Sequence, residues 1–186
     1  MDRRTMLGAL LGAPLACRTV EAAAQEISDL DVPYVTTPQN VVDAMLDLAG
    51  VGPSDRLVDL GSGDGRIVIT AARRWGTRGL GYEIDPRLAS IATRNARREG
   101  VGELARFVID DIFVADLSSA TVITMYLLPD VNLRLRPRLR ALKPGTRLVS
   151  HDWDMGDWPP QKSIEIDAPE KRVGLRKTSR LMLWTV

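Results

Sequence analysis

The feature that most constrains the fold is a glycine-rich turn at residues 61–65, GSGDG, between a short apolar segment and an amphipathic one. A buried strand, a glycine turn and a helix form the opening unit of nucleotide-binding α/β folds. The spacing here is G-x-G-x-G, with Arg66 where a dinucleotide fingerprint has its last glycine, and no Gly-Lys-Ser/Thr follows to cradle a triphosphate. The turn therefore indicates another kind of ligand.

Strand-like and helix-like segments alternate along the chain. The apolar patterns predict strands at 56–60, 78–84, 105–111, 120–128 and 145–152, then a hairpin of 162–167 and 179–186. We expect Thr37 to cap the first helix, and Asp85 with Pro86 to begin a later one. Pro137 is expected to kink or break the helix that starts at Pro129. This order predicts an α/β fold: a single Rossmann-like, seven-strand sheet, mostly parallel with a terminal antiparallel hairpin and helices on both faces.

Composition and charge narrow the class of protein. The 186 residues, 45% hydrophobic and 26% charged, are typical of one ordinary globular domain. Lys and Arg number 25 against 24 Asp and Glu, so no basic field predicts nucleic acid as a partner. The basic run at 134–140, RLRPRLR, is interpreted as a solvated helix face. One Cys and one His exclude a disulfide framework and the usual zinc spacings.

The N-terminal segment differs from the rest of the chain. Arg3 and Arg4 precede a charge-free run at 6–17, and Ala22 with Ala24 fit an A-x-A cleavage site. Residues 1–24 therefore predict an export signal of the twin-arginine kind, which implies a periplasmic location, or a membrane anchor; a mis-assigned start would make the protein cytoplasmic. Residues 25–186 form the predicted catalytic domain.

Several polar residues follow the predicted parallel strands, and these strand ends meet at one edge of the sheet, where ligands of such folds bind. Asp59 and Asp64 beside the glycine turn would repel a pyrophosphate but suit an ammonium or a sulfonium. Glu83 can accept the hydroxyls of a ribose, and Asp110 or Asp111 can meet an adenine amino group. A cationic amino-acid part, a ribose and an adenine are the parts of S-adenosylmethionine, so the sequence predicts this ligand.

The segments DLGSGDGRIVITAA and GYEIDPRL, with an Asp after the third strand, resemble class I S-adenosylmethionine-dependent methyltransferases. VPYVTTPQNVVDAML, YLLPDVNLRLRPRL and LKPGTRLVSHDW are similar to the small lysine N-methyltransferases that modify ATP synthase subunit c and the adenine nucleotide translocase, and to their bacterial relatives. The resemblance covers roughly residues 32–160. It implies that S-adenosylmethionine contacts Tyr34, Thr36, Thr37, Asp59, Gly61, Ser62, Gly63, Glu83, Ile84, Asp110, Asp111 and Tyr126.

The acceptor side is predicted from residues after the fourth and fifth strands. Tyr126 stands where other amino-group methyltransferases have the first residue of Asn/Asp-Pro-Pro-Tyr, so the amide that holds a planar nitrogen is missing and an sp3 amine is favoured. Tyr126, His151 and Asp152 are the candidate catalytic residues, with His151 either a base or a histidine that hydrogen-bonds the backbone. The predicted substrate contacts are Leu127, Pro129, Trp153 and Trp158.

The expected partner is a protein lysine or a small-molecule acceptor, with no nucleic acid and no metal. One competing hypothesis is a Mg²⁺-dependent O-methyltransferase that uses Asp110, Asp111, Asp152 and Asp154. Three more are a small-molecule N-methyltransferase, aminopropyl transfer from decarboxylated S-adenosylmethionine, and a non-catalytic cofactor-binding protein.

Overall fold

The computed structural model describes residues 34–172, 174 and 177–186, so the predicted export segment lies outside the described residues. Seven strands form one sheet: β1 Arg56–Leu60, β2 Arg78–Glu83, β3 Ala105–Ile109, β4 Val122–Met125, β5 Arg147–His151, β6 Lys162–Asp167 and β7 Thr178–Thr185. Their order is β3-β2-β1-β4-β5-β7-β6. Strands β1 to β5 pair in parallel, whereas β7 pairs antiparallel with both β5 and β6.

Within the described residues, four helices cover the sheet: α1 Gln39–Leu48, α2 Arg66–Trp75, α3 Pro86–Arg98 and α4 Pro129–Arg140. Alternate residues of a strand point to opposite faces. Leu57 accordingly packs with α1 and α2, while its neighbour Val58 packs with α4 on the other face. Helices therefore lie on both faces, and the predicted fold class is confirmed.

The ends of the helices follow from local chemistry, with two corrections. Asp85 accepts a 2.8 Å hydrogen bond from the Arg87 amide and Pro86 opens α3, as expected. The expected Thr37 cap is wrong: Pro38 precedes α1 and no side chain caps that helix. A break at Pro137 is also wrong, because α4 runs through this residue to Arg140. Near a C-terminus, a proline removes one hydrogen bond without ending the helix.

The basic run on α4 is more embedded than expected. Arg138 donates hydrogen bonds to the carbonyls of Ile112 and Ala115 at 2.9 and 2.6 Å, and so ties α4 to the segment after β3. Arg136 pairs with Asp157 in the loop after β5. The interpretation of a solvated face is therefore wrong for these two arginines.

Two properties of the described part of the chain bear on function. None of its helices combines the length and apolar composition needed to cross a bilayer. Among the same residues, no group of three or more His, Cys, Asp or Glu side chains is arranged to hold a metal ion. Asp110 and Asp111 follow β3 whereas Asp152 and Asp154 follow β5, with β2, β1 and β4 between these strands.

Candidate active site

The glycine turn joins β1 to α2, and the backbone at all three glycines is left-handed, with φ of 75° at Gly61, 54° at Gly63 and 83° at Gly65. A Cβ on Gly63 would collide with the ring of Tyr34. Tyr34 therefore lies against the turn and is 47% exposed there, and its contact with S-adenosylmethionine stays a prediction. Because Gly63 has no side chain, the Tyr34 ring packs directly against the backbone of the turn.

The segment before α1 is tied to the turn through Arg66. The Arg66 guanidinium pairs with Asp64 at 2.6 Å and donates a 2.7 Å hydrogen bond to the carbonyl of Thr37. Burial disfavours the charged form of Asp64, but the hydrogen bonds and positive charge of Arg66 outweigh the effect of burial. The pKa of Asp64 is therefore lowered. Asp64 is thus neutralised within the protein, and the expectation that it serves a cationic ligand is not supported by its contacts. Thr36 is half-buried in the same segment.

Of the two carboxylates predicted to serve a ligand cation, Asp59 is the one that has no arginine partner within the described residues. It is 3% exposed and accepts a 2.7 Å hydrogen bond from the Thr124 hydroxyl on the neighbouring strand. Burial raises the pKa of Asp59 to about 7, Thr124 opposes this rise, and the negative charges of Glu83 and Asp64 add to it. A ligand cation beside Asp59 would favour its ionised form.

Glu83 connects the end of β2 to both flanking segments. Its Oε2 accepts a 2.7 Å hydrogen bond from the Gly63 amide, and its Oε1 accepts one of 3.0 Å from the Asp85 amide. Each carboxylate oxygen retains a second lone pair, so Glu83 can still accept ribose hydroxyls. Ile84 follows it with its side chain 51% exposed, an apolar surface beside the carboxylate.

Asp110 and Asp111 have different roles in the structure. The Asp110 amide donates to the Glu83 carbonyl at 3.3 Å, which places Asp110 beside the ribose-binding candidate. Asp111 instead begins a turn, because its Oδ1 accepts a 2.8 Å hydrogen bond from the Phe113 amide. The Asp110 Oδ1 in turn accepts a 2.8 Å hydrogen bond from the Asp111 amide, so contact of either carboxylate with an adenine amino group stays a prediction. Ser62, also predicted here, is buried with a hydroxyl that lacks a partner among the described residues.

On the acceptor side, the structure brings the three candidate catalytic residues together. The Tyr126 hydroxyl lies 3.5 Å from Asp152 Oδ2, and its ring packs on His151 with centroids 3.9 Å apart. Burial and the negative charge of Asp152 raise the pKa of Tyr126 to about 12, so it remains a neutral phenol. Asp152 has a φ of 64°, the sole non-glycine positive value in the described chain.

His151 is fully buried, and its Nε2 lies 2.8 Å from the Ser179 hydroxyl on β7. The partner is thus a side chain, rather than the backbone group that the sequence suggested. Burial lowers the pKa of His151 to about 4, with Asp152 opposing and Lys171 adding to this shift. The imidazole is therefore neutral at physiological pH but shielded from an incoming substrate, and its role as a base stays a prediction.

Two further residues of this cluster were missed by the sequence reasoning. Lys171, between β6 and β7, forms a 2.6 Å ion pair with Asp152 and is 9% exposed. Ser179 is the partner of His151. Neither residue belongs to a recognisable motif, and a lysine in a polar connecting segment is typical of a protein surface. The antiparallel placement of β7 beside β5 brings both residues to the site.

The predicted substrate residues lie in three different environments. Leu127 is buried over the turn, since a Cβ on Gly61 would stand 3.0 Å from its side chain. Pro129 and Trp153 are exposed at the rim, with Trp153 42% exposed. Trp158 instead packs against Trp184, with ring centroids 6.2 Å apart, and its carbonyl accepts the Trp184 indole N–H. Contact of Trp158 with a substrate stays a prediction.

Comparison with known proteins matches this chain to methyltransferases. The model of the ANTKMT methyltransferase domain matches residues 59–162. A protein-lysine N-methyltransferase of Saccharolobus islandicus (strain REY15A) is 44% identical over 138 residues, covering 73% of this chain and 86% of that protein. The adenine nucleotide translocase lysine N-methyltransferase of Mus musculus is 36% identical over 133 residues, covering 70% of this chain and 57% of the mouse protein.

A solved structure is also similar: an RNA methyltransferase from Salinibacter ruber in complex with S-adenosyl-L-homocysteine. It is 50% identical, has a TM-score of 0.75, and the match covers 82% of this chain and 94% of that one. The archaeal relative and this structure are thus matched over most of their length, whereas little more than half of the mouse enzyme is.

Proposed function

Because this chain belongs to the family of the ANTKMT methyltransferase domain, we propose that it methylates the side-chain amine of a protein lysine. The predicted family is confirmed, and with it the assignment as an S-adenosylmethionine-dependent methyltransferase. The lysine acceptor is supported by the archaeal and mouse relatives, whose names specify lysine. In the sequence, it is supported by Tyr126, which stands where other amino-group methyltransferases have an Asn or Asp that holds a planar nitrogen.

The residues at the donor side fit the cofactor. Bound S-adenosylmethionine supplies an electrophilic methyl group on a positively charged sulfur. The buried Asp59 carboxyl has a pKa of about 7, so a cation beside it would favour its ionised form. Glu83 has free lone pairs that can accept the hydroxyls of a sugar. Gly63 lets the Tyr34 ring pack against the turn, where it can lie across the bound ligand.

The residues at the acceptor side suit an amine. Transfer of a methyl group from sulfur is an in-line displacement, so the protein mainly positions the two reactants. A lysine has a reference pKa near ~10.4 and must be neutral to attack. Tyr126 stays uncharged and Asp152 is already paired with Lys171, so this wall of the site presents no unpaired carboxylate to hold the amine as an ammonium ion. The face of the exposed Trp153 tolerates both the amine and its methylated cation.

The test is to incubate total bacterial cell protein with S-adenosylmethionine that carries a labelled methyl group. We expect the wild type to place label in lysine, identified after acid hydrolysis, and Glu83→Ala to place none. The same reaction with total RNA addresses the acceptor suggested by the Salinibacter structure. Label that is removed by ribonuclease and not by protease would reject the lysine acceptor.

Each of the remaining candidate functions predicts its own outcome in this assay. Label confined to small molecules would indicate a small-molecule N- or O-methyltransferase. Loss of activity in EDTA would support the hypothesis of a Mg²⁺-dependent O-methyltransferase. Competition by decarboxylated S-adenosylmethionine, with transfer of its aminopropyl group, would indicate an aminopropyltransferase. Binding of the cofactor without transfer to any acceptor would indicate a non-catalytic protein.

We also propose that residues 1–24 direct export or anchor the protein in a membrane, on the basis of Arg3-Arg4 and the apolar run that follows. S-adenosylmethionine is made in the cytoplasm, and the twin-arginine route moves folded proteins, which allows the cofactor to be loaded first. Cell fractionation with N-terminal sequencing of the mature protein tests this. A cytoplasmic protein that retains Met1 would reject it.

A further inference from the structure

The Lys171–Asp152 ion pair is almost removed from solvent. The ammonium and carboxylate lie 2.6 Å apart, with side-chain exposures of 10% and 17%. Lys171 also donates a 2.8 Å hydrogen bond to the carbonyl of Thr178 at the start of β7. Burying two charges carries a desolvation cost that often cancels their attraction, so such a pair is weak evidence for a purely stabilising role.

The carboxylate of this pair is held facing the acceptor side. The Asp152 amide donates to the Arg180 carbonyl at 2.7 Å, and its Oδ1 accepts a 3.1 Å hydrogen bond from the Arg180 amide. These contacts fix Asp152 in its left-handed backbone conformation, which a non-glycine residue adopts at an energetic cost. Its Oδ2 then lies between Lys171 and the hydroxyl of Tyr126.

We propose that Lys171 is a positioning residue for methyl transfer: it neutralises Asp152, so that the acceptor amine reaches Tyr126 without an unpaired carboxylate beside it. This inference rests on the proposed lysine acceptor. An unpaired carboxylate within about 4–6 Å favours the protonated form of an amine by roughly 1–3 pKa units, and an ammonium ion has no lone pair with which to attack.

The other groups around Asp152 do not replace Lys171. His151 lies 3.5 Å from Oδ2, but its depressed pKa leaves it neutral at physiological pH. The Arg180 guanidinium is directed to the sulfur of Met182 and, at 3.6 Å, to Asp154. Tyr126 is a neutral phenol. Among the described residues, Lys171 is thus the cation that contacts the Asp152 carboxylate at physiological pH.

The experiment compares the pH dependence of the methylation rate between variants, with total bacterial cell protein and labelled S-adenosylmethionine as the probes. We expect Lys171→Met to be about tenfold slower than the wild type at pH ~7.5 and to recover to within about threefold by pH ~9.5, as the acceptor loses its proton without help. Lys171→Arg should keep the wild-type midpoint. Lys143→Met, which removes an exposed lysine before β5, is the matched control and should also keep it.

Two variants separate this inference from a structural effect. Asp152→Asn leaves the lysine unpaired and should move the midpoint to lower pH, whereas Asp152→Asn combined with Lys171→Met should restore it, since neither charge remains. A methylation rate that falls by the same factor at every pH, or an unchanged pH profile in both single variants, would overturn the role of Lys171. Neither result would affect the proposed function. If the wild type itself labels no lysine, the proposed function fails and this inference fails with it.

Discussion

The hydroxyl of Thr124 donates a 2.7 Å hydrogen bond to Asp59, the residue that stands beside it in the parallel register of β1 and β4. Both side chains are buried, at 0% and 3% exposure. The sheet therefore supplies a neutral hydrogen-bond donor to this buried carboxylate. Burial nevertheless keeps the pKa of the Asp59 carboxyl near 7. A bound cation would therefore determine how fully Asp59 is ionised.

The buried carboxylate should make the cofactor-free protein less stable as pH rises. The folded pKa of Asp59 is raised to about 7 from an ordinary 3.8, so its contribution is complete below pH 3.8 and is lost as pH rises through 7. We expect Asp59→Asn to match the wild type near pH 4 and to be more stable by up to about 4 kcal/mol at pH 8. Urea unfolding of both proteins across this range measures the difference, and a constant difference would contradict the shift.

Cofactor binding should release protons near neutral pH. A ligand cation favours the ionised form of Asp59, which is about half ionised at pH 7 in the free protein. We expect S-adenosylhomocysteine to displace up to about half a proton at this pH, and its affinity to rise between pH 6 and 8. Calorimetry in phosphate and in Tris, whose ionisation enthalpies differ, counts the protons. Asp59→Asn should show no dependence on the buffer, and the same result for the wild type would reject the prediction.

The close contact of Gly63 with Tyr34 should make this glycine essential for cofactor binding. Gly63→Ala forces an alanine into a left-handed backbone conformation and also places its methyl group against the Tyr34 ring. Gly145→Ala is a matched control, because its φ of 88° is equally unfavourable but nothing lies within 4 Å of the added Cβ. We expect both variants to lose about 1–2 kcal/mol of stability, and only Gly63→Ala to bind S-adenosylhomocysteine at least ~10-fold more weakly. Equal affinities would contradict the role assigned to this contact.

Much of the donor side could be predicted from sequence because it depends on local order. Alternating apolar segments place Asp59, Glu83 and Asp110 at the ends of parallel strands, and parallel strands present those ends at one edge. The pairing of Asp64 could not be predicted in the same way. Arg66 is two residues away and long enough to turn outward, and the tertiary position of Thr37 is what draws its guanidinium inward.

The acceptor side was less predictable because it depends on contacts between distant segments. Lys171 and Ser179 reach Asp152 and His151 only when β7 inserts between β5 and β6. The composition of the final segment predicts a hairpin but says nothing of which lysine it buries. The same reasoning applies to Arg138, whose carbonyl partners after β3 are separated from it by more than twenty residues.

The chain's one histidine offers a direct test of burial at the acceptor side. Burial lowers the pKa of His151 to about 4, so the folded protein favours the neutral ring. Its stabilising contribution is present above pH 6.5 and is lost as pH falls through 4. We expect the imidazole Hε1 signal of the untagged protein to be constant in NMR spectra between pH ~5.5 and ~8, whereas the urea-unfolded chain should titrate near ~6.5. A folded-state midpoint near ~6.5 would show that the ring reaches solvent and would support His151 as the base. A constant signal would exclude it as the group that titrates in the methylation rate near neutral pH.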